Sequence, residues 1–145
     1  MRTFTATTVA TARPEAVLNV LTDPDAVARW APVAFAVDDA THPRLSEGSR
    51  HRVSGRLAGQ EVGFEVEVHQ ADAAGLALSA NGPVALDVAY ELRASAQGSE
   101  VSASVAVLPQ RGLRARLVAE ATSAVLAAGA LQVALGRIVA EAAAA

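Results

Sequence analysis

The sequence of 145 residues contains no cysteine and no lysine, and aromatic side chains make up only 3% of it. Without cysteine the chain can form neither disulfides nor thiolate metal sites, and we expect a cytoplasmic protein. The formal net charge is −3. This balance argues against a nucleic-acid-binding protein, because such proteins need clustered positive charge to contact phosphates.

Several functional motifs are also missing. There is no glycine-rich phosphate loop, no GxSxG and no Cys–His pair, so nucleotide binding and nucleophilic hydrolysis have no support. The histidines His42, His51 and His69 do not have metal-ligand spacing, and we expect neither a metal nor another cofactor. The uncharged run ATSAVLAAGALQVALG, residues 121–136, is shorter than the ~20 residues of a membrane span. We therefore expect no transmembrane segment.

The sequence is instead rich in small apolar residues, which form one domain over residues 1–145. The hydrophobic fraction is 52%, mostly alanine, valine and leucine, a composition that fills large spaces poorly. Alternation predicts a strand over 2–12, and Pro14 and Pro24 each favour the start of a short helix. Further strands are predicted at 35–40 and 75–80 and in two hairpins.

The two hairpins are predicted with their registers. A turn at Ala58–Gly59 places Arg56, Arg52 and Arg50 opposite Glu61, Glu65 and Glu67, all on one face. In the second hairpin, residues 84–94 and 100–108 flank a turn around Gln97–Gly98, with Arg93 opposite Glu100. From Leu113 to the end, the pattern predicts one helix of some 30 residues.

Three features carry a family resemblance: ARPEAVLNVLTDPDAVARWAP after the first strand, LSEGSRHRV before the third, and the long terminal helix. With these features, the order of the elements resembles the START-related helix-grip superfamily and, within it, the bacterial polyketide cyclase/dehydrase and lipid-transport family of the SRPBCC type. It implies an α+β fold, in which a seven-stranded antiparallel sheet wraps around the C-terminal helix. It also implies an apolar ligand cavity between sheet and helix, but no common catalytic motif.

Three side chains are candidates for chemistry in such a cavity. His51 is the one ionisable group on the apolar face of its hairpin; it could act as an acid or base, or lie bonded at the sheet end. Tyr90 could polarise a ligand carbonyl or serve as a core residue. By resemblance Trp30 lies near the cavity entrance, although it could also pack its helix onto the sheet. The inward faces add the apolar ligand contacts Val53, Phe64, Val66 and Val88.

The two faces of the long helix give further predictions. A single stripe at ~100° per residue is expected to face the sheet; its members are Leu117, Ala121, Ala124, Ala128, Leu131, Leu135 and Ile138. The small residues Ala121, Ala124 and Ala128 would leave space for a ligand bordered by Leu117. On the opposite face, Leu126 and Val133 suggest a homodimer interface, with a membrane surface as the second choice.

Three functions remain open from the sequence. The first is a carrier or binder of an apolar small molecule such as a lipid or polyketide. The second is an enzyme, a polyketide cyclase or dehydratase using His51 and Tyr90. The third is a non-catalytic, homodimeric interaction module whose cavity is residual.

Overall fold

A computed structural model describes residues 2–31, 35–37, 44–57, 59–108 and 111–144. The chain runs through strand β1, two short helices, six further strands and two C-terminal helices. Their bounds are β1 Arg2–Ala10, α1 Pro14–Thr22, α2 Pro24–Trp30, β2 Phe35–Val37, β3 Arg50–Leu57, β4 Gln60–Asp72, β5 Gly75–Asn81, β6 Ala85–Ser95, β7 Gly98–Leu108, α3 Leu113–Ala127 and α4 Ala130–Ala144. This order confirms the α+β helix-grip fold predicted from the sequence.

The described strands form one antiparallel sheet of seven, in the order β1-β7-β6-β5-β4-β3-β2. Six of them have seven or more residues, whereas β2 has three; the rest of the predicted strand, residues 38–40, lies outside the described part. One face of the sheet carries the core, in which Leu135 and Ile138 of α4 are fully buried with Val17 and Leu21 of α1. The apolar side chains of α1, α4 and the inner sheet face thus pack together as the hydrophobic core.

The β3–β4 hairpin has the predicted register. Arg50, Arg52 and Arg56 pair with Glu67, Glu65 and Glu61 across the two strands. Arg52 Nη2 lies 2.9 Å from Glu65 Oε1, and Gly59 has a φ of +77°, which suits the tight turn. A β-bulge between Val68 and Gln70 was not predicted. Bulges bend a strand, and this one curves β4 around the interior.

The second hairpin also has its predicted pairing, with one shift at the turn. Arg93 pairs with Glu100, and Ser95 pairs with Gly98. The two turn residues are therefore Ala96 and Gln97, one position before the predicted Gln97–Gly98.

The prediction of one continuous C-terminal helix is wrong. α3 and α4 are separate helices that meet at an angle of 60°. The backbone N–H of Ala128 still donates to Ala124 O at 3.0 Å, but Gly129 then takes a φ of +99°. Glycine is the residue that adopts this conformation without a Cβ clash, so Gly129 ends α3 and redirects the chain.

This break changes which residues of α3 face inward. Leu131, Leu135 and Ile138 of α4 are buried as predicted. Their stripe does not continue onto α3, because the chain bends between the two helices. The buried residues of α3 are Val118, Thr122 and Ser123, and Val125 and Leu126 line the cavity. Val118, Thr122 and Val125 each lie one residue, or ~100°, after the predicted Leu117, Ala121 and Ala124. Leu117, Ala124 and Ala128 are exposed and Ala121 is half-buried.

The break at Gly129 gives a test with an internal control. We expect Gly129→Ala to destabilise the fold by about 1–2 kcal/mol, because an L-residue is strained at this positive φ. Gly136→Ala, in the exposed interior of α4 with open space around it, should instead stabilise by about 0.5–1 kcal/mol. Urea unfolding of both variants measures the two signs. A stabilising Gly129→Ala would show that the helix can run straight.

The apolar helices also bear on membrane insertion. No single helix among the described residues has both the length and the apolar character to span a membrane. The pair α3 and α4, bent by 60°, meets both criteria only when the two helices are counted together.

Candidate functional site

A cavity of about 240 Å³, partly open to solvent, lies between the inner face of the sheet and the helices. Residues of β3 to β7 line one side, and residues of α1 to α4 line the other. Six side chains predicted as site residues are in this lining: Trp30, Val53, Phe64, Val66, Val88 and Tyr90. The alternation of the two hairpins therefore located the cavity wall on the sheet side.

The helical wall differs from the sequence prediction. Leu117, Ala121, Ala124 and Ala128 are not in the described lining, where α3 contributes Thr122, Val125 and Leu126. The Gly129 break accounts for this, since it shifts the phase of α3. Leu126, predicted at an outer dimer interface together with Val133, faces the cavity. Val133 is 50% exposed, so these two residues do not share one outer face.

Trp30, which lines the cavity, is held in place by contacts of helix α2. Asp23 caps this helix by accepting a hydrogen bond from Asp25 N at 3.0 Å. Two arginines join the end of α2 to α4: Arg29 Nε lies 3.0 Å from Glu141 Oε1, and Arg137 Nη1 donates to Ala31 O at 3.0 Å. The indole therefore both packs the helix and lines the cavity, which combines the two predicted roles.

Tyr90 meets Trp30 edge to face, with ring centroids 6.1 Å apart and planes at 77°. This T-shaped geometry is a favourable one for aromatic pairs. Burial raises the pKa of the Tyr90 hydroxyl well above its ordinary value. The group is therefore a neutral hydrogen-bond donor at physiological pH, and it does not act there as a base.

The cavity lining offers few polar groups, and most are already satisfied. Trp30 Nε1 donates to Val20 O at 3.2 Å, and Thr122 Oγ1 donates to Val118 O at 2.8 Å. Tyr90 is the third polar side chain in the described lining. Its hydroxyl makes no hydrogen bond to another described residue, which leaves one donor available within an apolar wall.

His51 is buried, as its register predicted, but the described cavity lining does not include it. Its Nε2 lies 2.7 Å from Ser49 Oγ. The single hydroxyl hydrogen of Ser49 is donated to Ser46 O at 2.6 Å, so His51 Nε2 must be the donor to Ser49. The imidazole thus braces the turn that leads into β3.

The structure does not bring His51 and Tyr90 together. Across the sheet, His51 pairs with Val66, Val66 pairs with Ala80, and Ala80 pairs with Leu86. Leu86 is therefore the residue of β6 that is level with His51. Tyr90 lies four residues further along β6, and β6 is three strands from β3. The separation is about 13 Å along the strand direction and about 14 Å across the strands.

Metal binding has no geometric support in the described residues, where no group of three or more His, Asp or Glu side chains converges. His69 lies on the outer face, as predicted, and its Nε2 is 2.8 Å from Ser79 Oγ.

Comparisons with known proteins agree with this architecture. The structural alignment with protein CV1439 from Chromobacterium violaceum covers 97% of this chain and 96% of that protein, with a TM-score of 0.70 at 16% identity. For the protein TTHA0849 from Thermus thermophilus the coverages are 99% and 98%, with a TM-score of 0.71 at 15% identity. For Ara h 8.0201 both coverages are 99%, with a TM-score of 0.62 at 12% identity. At these identities the likeness concerns the fold alone.

No curated protein gives a significant match to the chain. The family described as "Polyketide cyclase / dehydrase and lipid transport" matches residues 1–143. Together with the helix-grip fold and its apolar cavity, this match shows that the chain belongs to the polyketide cyclase/dehydrase and lipid-transport family.

Proposed function

We propose that this protein binds and carries an apolar small molecule in the cavity between sheet and helices. The observation that carries the proposal is the apolar wall with a single available donor, the Tyr90 hydroxyl. Ligand sites typically combine an apolar lining with a few placed polar groups that fix orientation. The ligand class is then an apolar compound with one carbonyl or hydroxyl oxygen, which would accept a hydrogen bond from Tyr90.

The size of the cavity limits this ligand. A dry apolar cavity of about 150 Å³ is large enough for benzene. The cavity of about 240 Å³ therefore suits a two-ring compound or a short-chain lipid better than a long one.

A carrier accounts for the site better than a cyclase or dehydratase. Such an enzyme needs a proton acceptor beside the bound carbonyl, with a pKa near the working pH. The described lining holds Tyr90, whose raised pKa keeps it protonated, and it does not hold His51. His51 and Tyr90 do not lie together in the described cavity lining, so the predicted catalytic pair has no geometric support. A binding role does not require such a pair.

Native mass spectrometry of the protein purified from its own cells tests the proposal directly. We expect an added mass that disappears on denaturation and belongs to an apolar compound carrying at least one oxygen. Extracted ligand should rebind the stripped protein with one-to-one stoichiometry. A protein that carries no ligand and binds no apolar compound in titration would contradict the proposal.

The role of Tyr90 gives a second prediction, measured with a matched pair of probes. We expect Tyr90→Phe to weaken binding of 2-acetylnaphthalene by about 3–10-fold, the value of one net hydrogen bond. Binding of 2-ethylnaphthalene, which has nearly the same shape without the carbonyl, should not change. Quenching of Trp30 reports both titrations, because Trp30 is the single tryptophan and lines the cavity.

His51→Ala serves as the control for this pair of probes. It removes a buried polar side chain outside the described lining, so it should alter stability without discriminating between the probes. Equal losses for both probes in Tyr90→Phe would mean that the ring contributes packing and that its hydroxyl does not contact the ligand.

A further inference from the structure

We propose that the start of α3 docks this protein on anionic membrane surfaces. The residues concerned are Arg111, Leu113, Arg114, Arg116 and Leu117, which we call the basic-apolar patch. The proposal goes beyond ligand carriage, since docking requires no ligand in the cavity.

The two leucines of the patch have no packing role in the fold. Leu113 and Leu117 are 73% and 60% exposed, the highest values among the large apolar side chains of the described residues. Because they are four residues apart, they lie on the same side of the helix, one turn from each other. Val118 and Thr122, which face the interior, lie more than about 100° away around the helix. The leucines therefore point away from the protein.

The arginines of the patch flank this leucine pair. Arg114 and Arg116 lie about 80° to either side of it, and Arg111 lies two residues before the first residue of the helix. All three are exposed, and none forms an ion pair with another described residue. Three positive charges within six residues stand out in a chain whose net charge is −3.

The helix macrodipole does not explain these arginines. The N-terminal end of a helix favours acidic side chains, and positive charges there oppose the macrodipole. The first turn of α3 has no acidic residue, and its N-cap, Gly112, gives no side-chain hydrogen bond. The charges thus carry a cost in stability, which an external anionic partner would offset.

A bilayer fits this patch better than a second copy of the chain. A symmetric dimer through the patch would bring two sets of three arginines face to face, and like charges in an interface are repulsive. An interfacial helix, in contrast, places apolar side chains at the acyl boundary while its arginines reach the anionic headgroups. Since α3 also supplies Val125 and Leu126 to the cavity lining, docking would hold a cavity wall at the membrane surface.

Vesicle co-sedimentation of the full chain tests this docking. We expect binding to vesicles of phosphatidylcholine mixed with phosphatidylglycerol, weaker binding to phosphatidylcholine alone, and weakening by salt. Leu113→Asn/Leu117→Asn should lower the partition coefficient about tenfold or more. Each of Arg114→Gln and Arg116→Gln should lower it about fivefold.

Matched variants separate docking from general effects. Val9→Asn and Val133→Asn change exposed valines outside the patch, 53% and 50% exposed, and should bind vesicles like the wild type. Arg114→Glu should be at least as stable as the wild type, because an acid suits this helix end, and yet bind anionic vesicles less. This combination distinguishes docking from a structural role of the arginine.

Two results would overturn the proposal. One is wild-type protein that ignores anionic vesicles, or that binds them equally well after the patch substitutions. The other is a dimer by light scattering that Leu113→Asn/Leu117→Asn dissociates, which would assign the patch to a second copy. Either result leaves ligand carriage intact, provided that the patch variants still bind 2-acetylnaphthalene.

Discussion

Val88→Trp is expected to lower the affinity for 2-acetylnaphthalene about a hundredfold while leaving the fold intact. Val88 is in the middle of β6, where it pairs with Leu78 of β5 and Val105 of β7. All three side chains line the cavity, so an indole at this position enters the space available to the ligand. Displacing on the order of 100 Å² of apolar contact costs about 2.5 kcal/mol, which corresponds to nearly a hundredfold in affinity.

Ala89→Trp provides the matched control, because the next residue of the same strand points to the opposite face of the sheet. It adds the same indole to the same strand without entering the cavity, and ligand affinity should be unchanged. Circular dichroism and the unfolding midpoint establish that both variants are folded. Wild-type affinity in a folded Val88→Trp protein would place the binding site elsewhere on the molecule.

The sheet wall of this cavity could be predicted from sequence because its signals are local. In the first hairpin, three Arg–Glu pairs fit a single register, and a slip by one residue would turn the charges inward. That register fixes the face of every residue paired between the two strands, including Val53, Phe64 and Val66. The structure has the same pairing, and these three side chains line the cavity.

The prediction for His51 shows what a register leaves undetermined. Alternation correctly assigned this residue to the buried face. It did not determine the position along the curved sheet, which depends on the bulge in β4 and on the turn at Ser46–Ser49. The imidazole therefore braces a turn, even though its face and chemistry suited a catalytic base.

The residues on the helical side of the cavity could not be predicted from sequence. The prediction continued one helical period through Gly129, where the chain bends between α3 and α4. Residues 121–136 form an uncharged run in which Gly129, with its positive φ, is the residue that marks the bend. A single glycine inside a helical pattern is often tolerated, so its presence alone does not predict a break. Once the bend is known, the same periodicity gives the inward face of each helix separately.

Leu135→Ala and Leu117→Ala measure this difference in unfolding free energy. Both leucines lie on the one stripe predicted for a continuous helix. In the structure Leu135 is fully buried, whereas Leu117 is 60% exposed. We expect Leu135→Ala to cost about 2–5 kcal/mol, since it removes buried methyl groups and leaves a cavity. Leu117→Ala should change stability by less than about 0.5 kcal/mol.

Thermal and urea unfolding of the two variants should therefore diverge, with a loss of roughly 6–20 °C in the unfolding midpoint for Leu135→Ala alone. The chemical change is identical, and both leucines are in helices, so helix propensity cancels between them. The remaining difference reports burial. Equal and large losses would mean that Leu117 packs against the sheet, and α3 would then have the phase of a continuous helix. A small loss for Leu117→Ala together with reduced vesicle binding would instead separate the two roles of α3, with Leu126 facing the ligand and Leu117 facing the membrane.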